Sequence, residues 1–63
     1  MVTRRDRERH LRGHGCTPVR EGGRHTVWEH PHTGRRATVP RHRELPRATA
    51  QAICRQLGVP PIG

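Results

Sequence analysis

Residues 16–40 read CTPVREGGRHTVWEHPHTGRRATVP, and the rhythm of this stretch decides the architecture. Residues 24–30 are its best strand, because His25, Thr26, Val27 and Trp28 all suit a pleated, half-buried surface. Glu21-Gly22-Gly23 before it is a hairpin-type turn, and Pro31-His32-Thr33-Gly34 after it is a second turn. Residues 16–20 form the first strand, which Pro18 marks as an edge or irregular one. Residues 35–39 form the third, with Ala37 and Val39 on one face and Arg36 and Thr38 on the other. Short strands joined by tight turns predict an antiparallel meander.

The flanks predict helices. Residues 4–12 contain neither Gly nor Pro, Thr3 and Asp6 have the spacing of a capping pair, and Gly13 and Gly15 end the run. Its apolar face is thin: Leu11 and Val2 lie on it, while Arg7 and Glu8, one turn before Leu11, are charged. Residues 41–45 read as a loop. A second helix starts between Pro46 and Thr49 and carries Ala50, Ile53, Cys54 and Leu57 as one stripe. Gly58 stops it, and Pro60-Pro61 prevents resumption. The expectation is an α+β domain in the order α-β-β-β-α, a three-stranded antiparallel sheet with both helices on one face. That packing buries Leu11, Val27, Val39, Ile53 and Leu57 and leaves the other face polar and arginine-rich. The same order of elements occurs in double-stranded-RNA-binding domains, a topological analogy.

Composition bounds the function. The chain has 63 residues, thirteen arginines, no lysine, five acids and a net charge of +8. Trp28 is its one aromatic residue. That length supports one domain, residues 1–63, which buries only about 60% of its unfolded surface and has no room for an internal dinucleotide. No apolar run approaches the roughly 20 residues of a membrane span. Residues 1–12 lack the apolar core of a signal peptide, so the expected compartment is the cytoplasm. The basic excess points to a polyanion: nucleic acid first, an acidic protein second, a membrane surface a distant third. Arginine throughout suits bidentate phosphate contacts, although the codon bias of a GC-rich genome accounts for it more simply. Cys16 and Cys54 do not make a disulfide framework and read as small buried residues.

Chemistry centres on His25, which follows Gly22-Gly23-Arg24 at the start of the middle strand. Glycines allow close approach of substrate, and imidazole exchanges protons near neutrality. With Arg20, Arg24, Arg36 and Arg41 around it, His25 would be the least equipment for metal-independent RNA cleavage. The imidazole would take the 2′-hydroxyl proton, and guanidinium groups would stabilise the phosphorane. The plainer alternative is a polar surface histidine. His42 has three readings: a second proton-transfer group, a phosphate contact or a cap. Zinc is a rival for six histidines and two cysteines, but no zinc-finger spacing is present. His30 and His32 flank a turn and read as solvated. Trp28 either stacks on an unpaired base or fills the core, and its packing area favours the core.

Residues 13–59 resemble the HicA mRNA-interferase toxin family. The resemblance rests on His14-Gly15, Arg20, Gly23-x-His25, His30-Pro31, Thr38-Val39-Pro40-x-His42 and Thr49-x3-Ile53-x3-Leu57-Gly58, with residues 60–63 as a tail. It implies a double-stranded-RNA-binding-like fold and cleavage of mRNA that arrests translation without a bound metal or other cofactor. His25 would then be the catalytic residue. Arg20, Gly23, Arg24, Arg36, Arg41 and His42 would contact RNA. A HicB-like antitoxin would block the site, and operator DNA would be reached only through that antitoxin. The chain departs from the family at Arg24, commonly serine, at Ala48, often glycine, and in the scarcity of aliphatic residues in the first helix. The alternatives are a non-catalytic RNA-binding module of the same fold and an inactive remnant that binds only its antitoxin.

Overall fold

The structure is a computed structural model describing residues 1–63. In chain order it contains β1 (Val2–Thr3), α1 (Arg4–Gly13), β2 (Thr17–Glu21), β3 (His25–His30), β4 (Arg35–Pro40), β5 (Glu44–Leu45) and α2 (Arg47–Leu57). Strands β2, β3 and β4 form the expected antiparallel meander with β3 in the middle. The boundaries lie within a residue of those read from the sequence.

Local chemistry accounts for both helices. The Asp6 amide donates to Thr3 Oγ1 at 3.1 Å, which satisfies one of the free N–H groups at the start of α1. Helix α2 ends at Gly58 in the left-handed conformation, φ +74°, and the Val59 amide donates back to the Cys54 carbonyl at 3.0 Å. Pro46 precedes α2 without a side-chain cap; its fixed φ of −55° suits the entry to a helix.

Both helices cover one face of the meander. Leu11 from α1 and Ile53, Cys54 and Leu57 from α2 share a core with Cys16, Trp28, Ala37, Val39, Leu45 and Val59. Val27, expected in this core, lies on the other face. It pairs across the sheet with Arg20 and Thr38 and is only half-buried. Successive strand residues face opposite ways, so burying the larger Trp28 turns Val27 outward.

Residues 41–45 are not wholly loop. Glu44 and Leu45 pair antiparallel with Thr3 and Val2, closing a second, two-stranded sheet. Two residues are too few to show a period, so the pairing has no local signature. Leu45 and Val2 are both buried there, and the Arg4 amide donates to the Arg43 carbonyl at 2.7 Å. Residues 60–63 also pack back: the Pro60 carbonyl accepts from His10 Nε2 at 2.7 Å, and the Ile62 carbonyl accepts from Gln51 at 3.3 Å.

Cys16 and Cys54 are free thiols buried in the core. Burial pushes the Cys16 thiol up, and the neighbouring Cys54 adds to the shift. Folded protein is therefore expected to react slowly with a thiol reagent and to release both thiols on denaturation in urea; fast labelling of native protein would contradict the packing. Leu57 is fully buried. Its replacement by Ala should cost about 2–5 kcal/mol in urea unfolding followed through Trp28 fluorescence.

Candidate active site

Three segments meet at one end of the open sheet face: the β2–β3 turn, the start of β3 and the segment between β4 and β5. They enclose an open cleft of about 510 Å³ lined by Gly23, Arg24, His25, Arg41 and His42. His25, Arg24 and His42 are exposed and Arg41 is half-buried. None of the five is acidic, so positive charge in the cleft is not neutralised from within it.

The turn is built tightly. The Gly22 amide donates to the His25 carbonyl at 2.8 Å, and a Cβ at Gly22 would stand 3.3 Å from that oxygen. A Cβ at Gly23 would meet nothing within 4 Å. Gly22 therefore serves the turn, whereas the space around Gly23 is open. Arg41 fastens the far wall: its amide donates to the Arg24 carbonyl at 3.0 Å and its Nη1 to the Gly22 carbonyl at 2.9 Å. Arg41 Nε and Nη2 make no hydrogen bond within the protein.

The other two arginines singled out from the sequence stand apart from this cleft. Arg20 reaches the same face through an irregularity. Pro18 pairs with Trp28, but Arg20 pairs with Val27, so Val19 is an extra residue in β2. In a regular ladder Arg20 would pair with Thr26 and share the helix-covered face of Pro18 and Trp28; the bulge pairs it with Val27 and turns it outward, one step along the sheet from His25. Arg36 lies opposite Glu29 and its Nε donates to Glu29 Oε2 at 2.9 Å. Glu29 is four residues from His25 along β3, roughly 13 Å.

The histidines divide by what they hold. His10 is bonded to Pro60, and its ring centroid lies 4.6 Å from that of His14. His30, expected to be solvated, is half-buried: Nε2 donates to the His14 carbonyl at 3.2 Å and Nδ1 meets Thr33 Oγ1 at 3.2 Å. It ties the β3–β4 turn to the end of α1. His32 is exposed at that turn, while His25 and His42 line the cleft. Trp28 is buried, with the Arg12 guanidinium carbon 5.3 Å from the centre of its ring, and is closed to a stacking base.

Arg7 was missed by the sequence reading, which counted its charge as a defect of the apolar face. It is 4% exposed. Its Nη2 donates to the Pro40 carbonyl at 3.0 Å and also to the His42 carbonyl. Desolvation lowers its pKa; Glu8 opposes the shift and Arg4 adds to it. The available signal was position: Arg7 is one turn from Leu11, on the face that packs inward.

A model of a protein family described as the HicA toxin of bacterial toxin–antitoxin systems matches residues 4–59. The chain belongs to the HicA toxin family. The match extends the resemblance seen in residues 13–59 back through α1, so the departures in that helix lie within the family's span. No curated protein and no solved structure matched the chain. As a HicA toxin it is one half of a toxin–antitoxin pair. No helix is long and apolar enough to cross a membrane.

The two classes of histidine separate by stability. His30→Ala is expected to lower unfolding stability by about 1 kcal/mol through lost hydrogen bonds. His25→Ala should leave the urea midpoint unchanged. A large destabilisation by His25→Ala would mean that the imidazole serves the fold and not the cleft.

Proposed function

We propose that this HicA toxin is a metal-independent RNA endonuclease in which His25 is the general base. The reading rests on the company His25 keeps: a second histidine, two arginines and a glycine mouth in one open cleft without a carboxylate. Magnesium is held chiefly by carboxylates and phosphates, and this cleft offers none of the former. Two imidazoles and two guanidinium groups suit cleavage by the RNA's own 2′-hydroxyl.

In that reaction His25 takes the proton from the 2′-hydroxyl as its oxygen attacks phosphorus. The bond from phosphorus to the 5′-oxygen breaks, and His42 returns a proton to that oxygen. The products are a 2′,3′-cyclic phosphate and a free 5′-hydroxyl. Arg24 and Arg41 stabilise the extra charge on the phosphorane, where donors held in place beforehand act most strongly. Arg20 and Arg36, further along the open face, meet flanking phosphates, and Gly23 admits the backbone. The substrate is mRNA in the cytoplasm, and its loss arrests translation. A HicB-like antitoxin covers the same cleft with acidic groups. Operator DNA is reached only through that antitoxin.

Purified protein in EDTA should cut RNA, and His25→Ala should reduce the rate by at least about a hundredfold. Equal cleavage by both proteins would remove His25 from the mechanism. RNA binding without cleavage, indifferent to His25→Ala, would make the chain a binding module. Binding to the antitoxin alone would make it a remnant. If about four to six phosphates are neutralised, log affinity for single-stranded RNA should fall with log salt at a slope of about −3 to −4.

A further inference from the structure

Arg7 is the one charged residue buried in this protein, and no carboxylate pairs with it. The ion pairs are Arg4 with Glu8 and Arg36 with Glu29. Its Nη1 is buried without any hydrogen-bond partner. A cation removed from water with an orphaned donor is an unfavourable way to fill a helix–sheet interface; an aliphatic chain of similar volume fills it without that penalty. Stability is thus a poor account of Arg7. What its guanidinium does make are bonds to the carbonyls of Pro40 and His42, 33 and 35 residues away in sequence.

Those carbonyls bracket Arg41. The segment they belong to is fastened on one side through the Arg41 amide to Arg24, and on the other through the Arg43 carbonyl to the Arg4 amide. Both are single backbone bonds, and Arg41 Nη1 adds a side-chain bond to the Gly22 carbonyl. Arg7 reaches it from beneath, from a helix that is itself anchored in the core through Leu11. We propose that Arg7 is a positioning residue that sets Arg41 and His42 against His25. The inference rests on the endonuclease reading for its kinetic consequence. It does not rest on that reading for the structural one.

In this arrangement the long side chain supplies reach, and the two N–H donors of Nη2 let one nitrogen serve two oxygens without a counter-charge. A shift of the segment by a fraction of an ångström alters the approach of His42 to the leaving oxygen and of Arg41 to the phosphorane, while Arg20, Arg24 and Arg36, outside the segment, remain free to bind.

The test compares wild type with Arg7→Met and Arg7→Lys by urea unfolding, RNA-cleavage kinetics and amide exchange. Folded Arg7→Met should lose about tenfold or more in kcat, because the proton donor is displaced. KM should stay within about twofold, because ground-state binding is retained. The Arg41 amide should exchange faster while the amides of the β3–β4 ladder do not. Arg7→Lys, whose ammonium still donates, should recover part of the loss. A folded Arg7→Met with wild-type kcat, or with an unchanged Arg41 amide, would overturn the proposal. Should Arg7→Met not fold, Arg7→Gln, too short to reach both carbonyls, is judged by the same measures. Failure of both to fold would make Arg7 structural and also overturn it. If wild-type protein cuts no RNA, the nuclease reading falls, and amide exchange still decides whether Arg7 holds the segment.

Discussion

Strand β3 carries its residues alternately to two faces, and the burial of Trp28 on one of them sets where His25 must lie. Thr26 and Trp28 turn toward the helices and are buried. His25, Val27 and Glu29 turn the other way. In a chain whose one aromatic residue supplies the largest piece of its core, this alternation cannot slip by one residue without exposing the indole and burying an imidazole. The Val19 bulge works within the same constraint. It keeps Pro18 with Trp28 while turning Arg20 to the side of His25.

The small core is closed by devices that compensate for its size. Leu45 and Val2 meet through a two-residue strand pair, Val59 follows the helix cap into the core, and the end of the chain is bonded back to His10 and Gln51. Each of these ties a terminus or a loop to the helix-covered side of the sheet. The opposite side is thereby free of structural duties, and the charge the fold cannot bury collects there and along the helix surfaces. Arg7 is the exception, and its contacts lead from the core to the wall of the cleft.

Much of the fold was legible because its signals are local. The turns, the alternation of Ala37 and Val39, the Thr3–Asp6 cap and the stripe from Ala50 to Leu57 depend on neighbours within a few residues. The β1–β5 pair, the bonds of His30 and the burial of Arg7 join residues far apart in sequence, and no periodicity marks them. Val27 and Trp28 were ambiguous for a different reason. Adjacent strand residues face opposite ways, and only the helices packed above the sheet decide which of the two is covered.

For the site, the division follows the same line. Residue order alone established that His25 stands at a glycine turn among arginines, and that the chain resembles HicA toxins. Tertiary structure selected from those candidates. It gathered Arg24, Arg41 and His42 beside His25, set Arg36 against Glu29, and withdrew His10, His30 and Trp28 into structural roles. The physical reason is that residue type states what a side chain is able to do, whereas hydrogen bonds and burial between distant segments decide whether it remains free to do it.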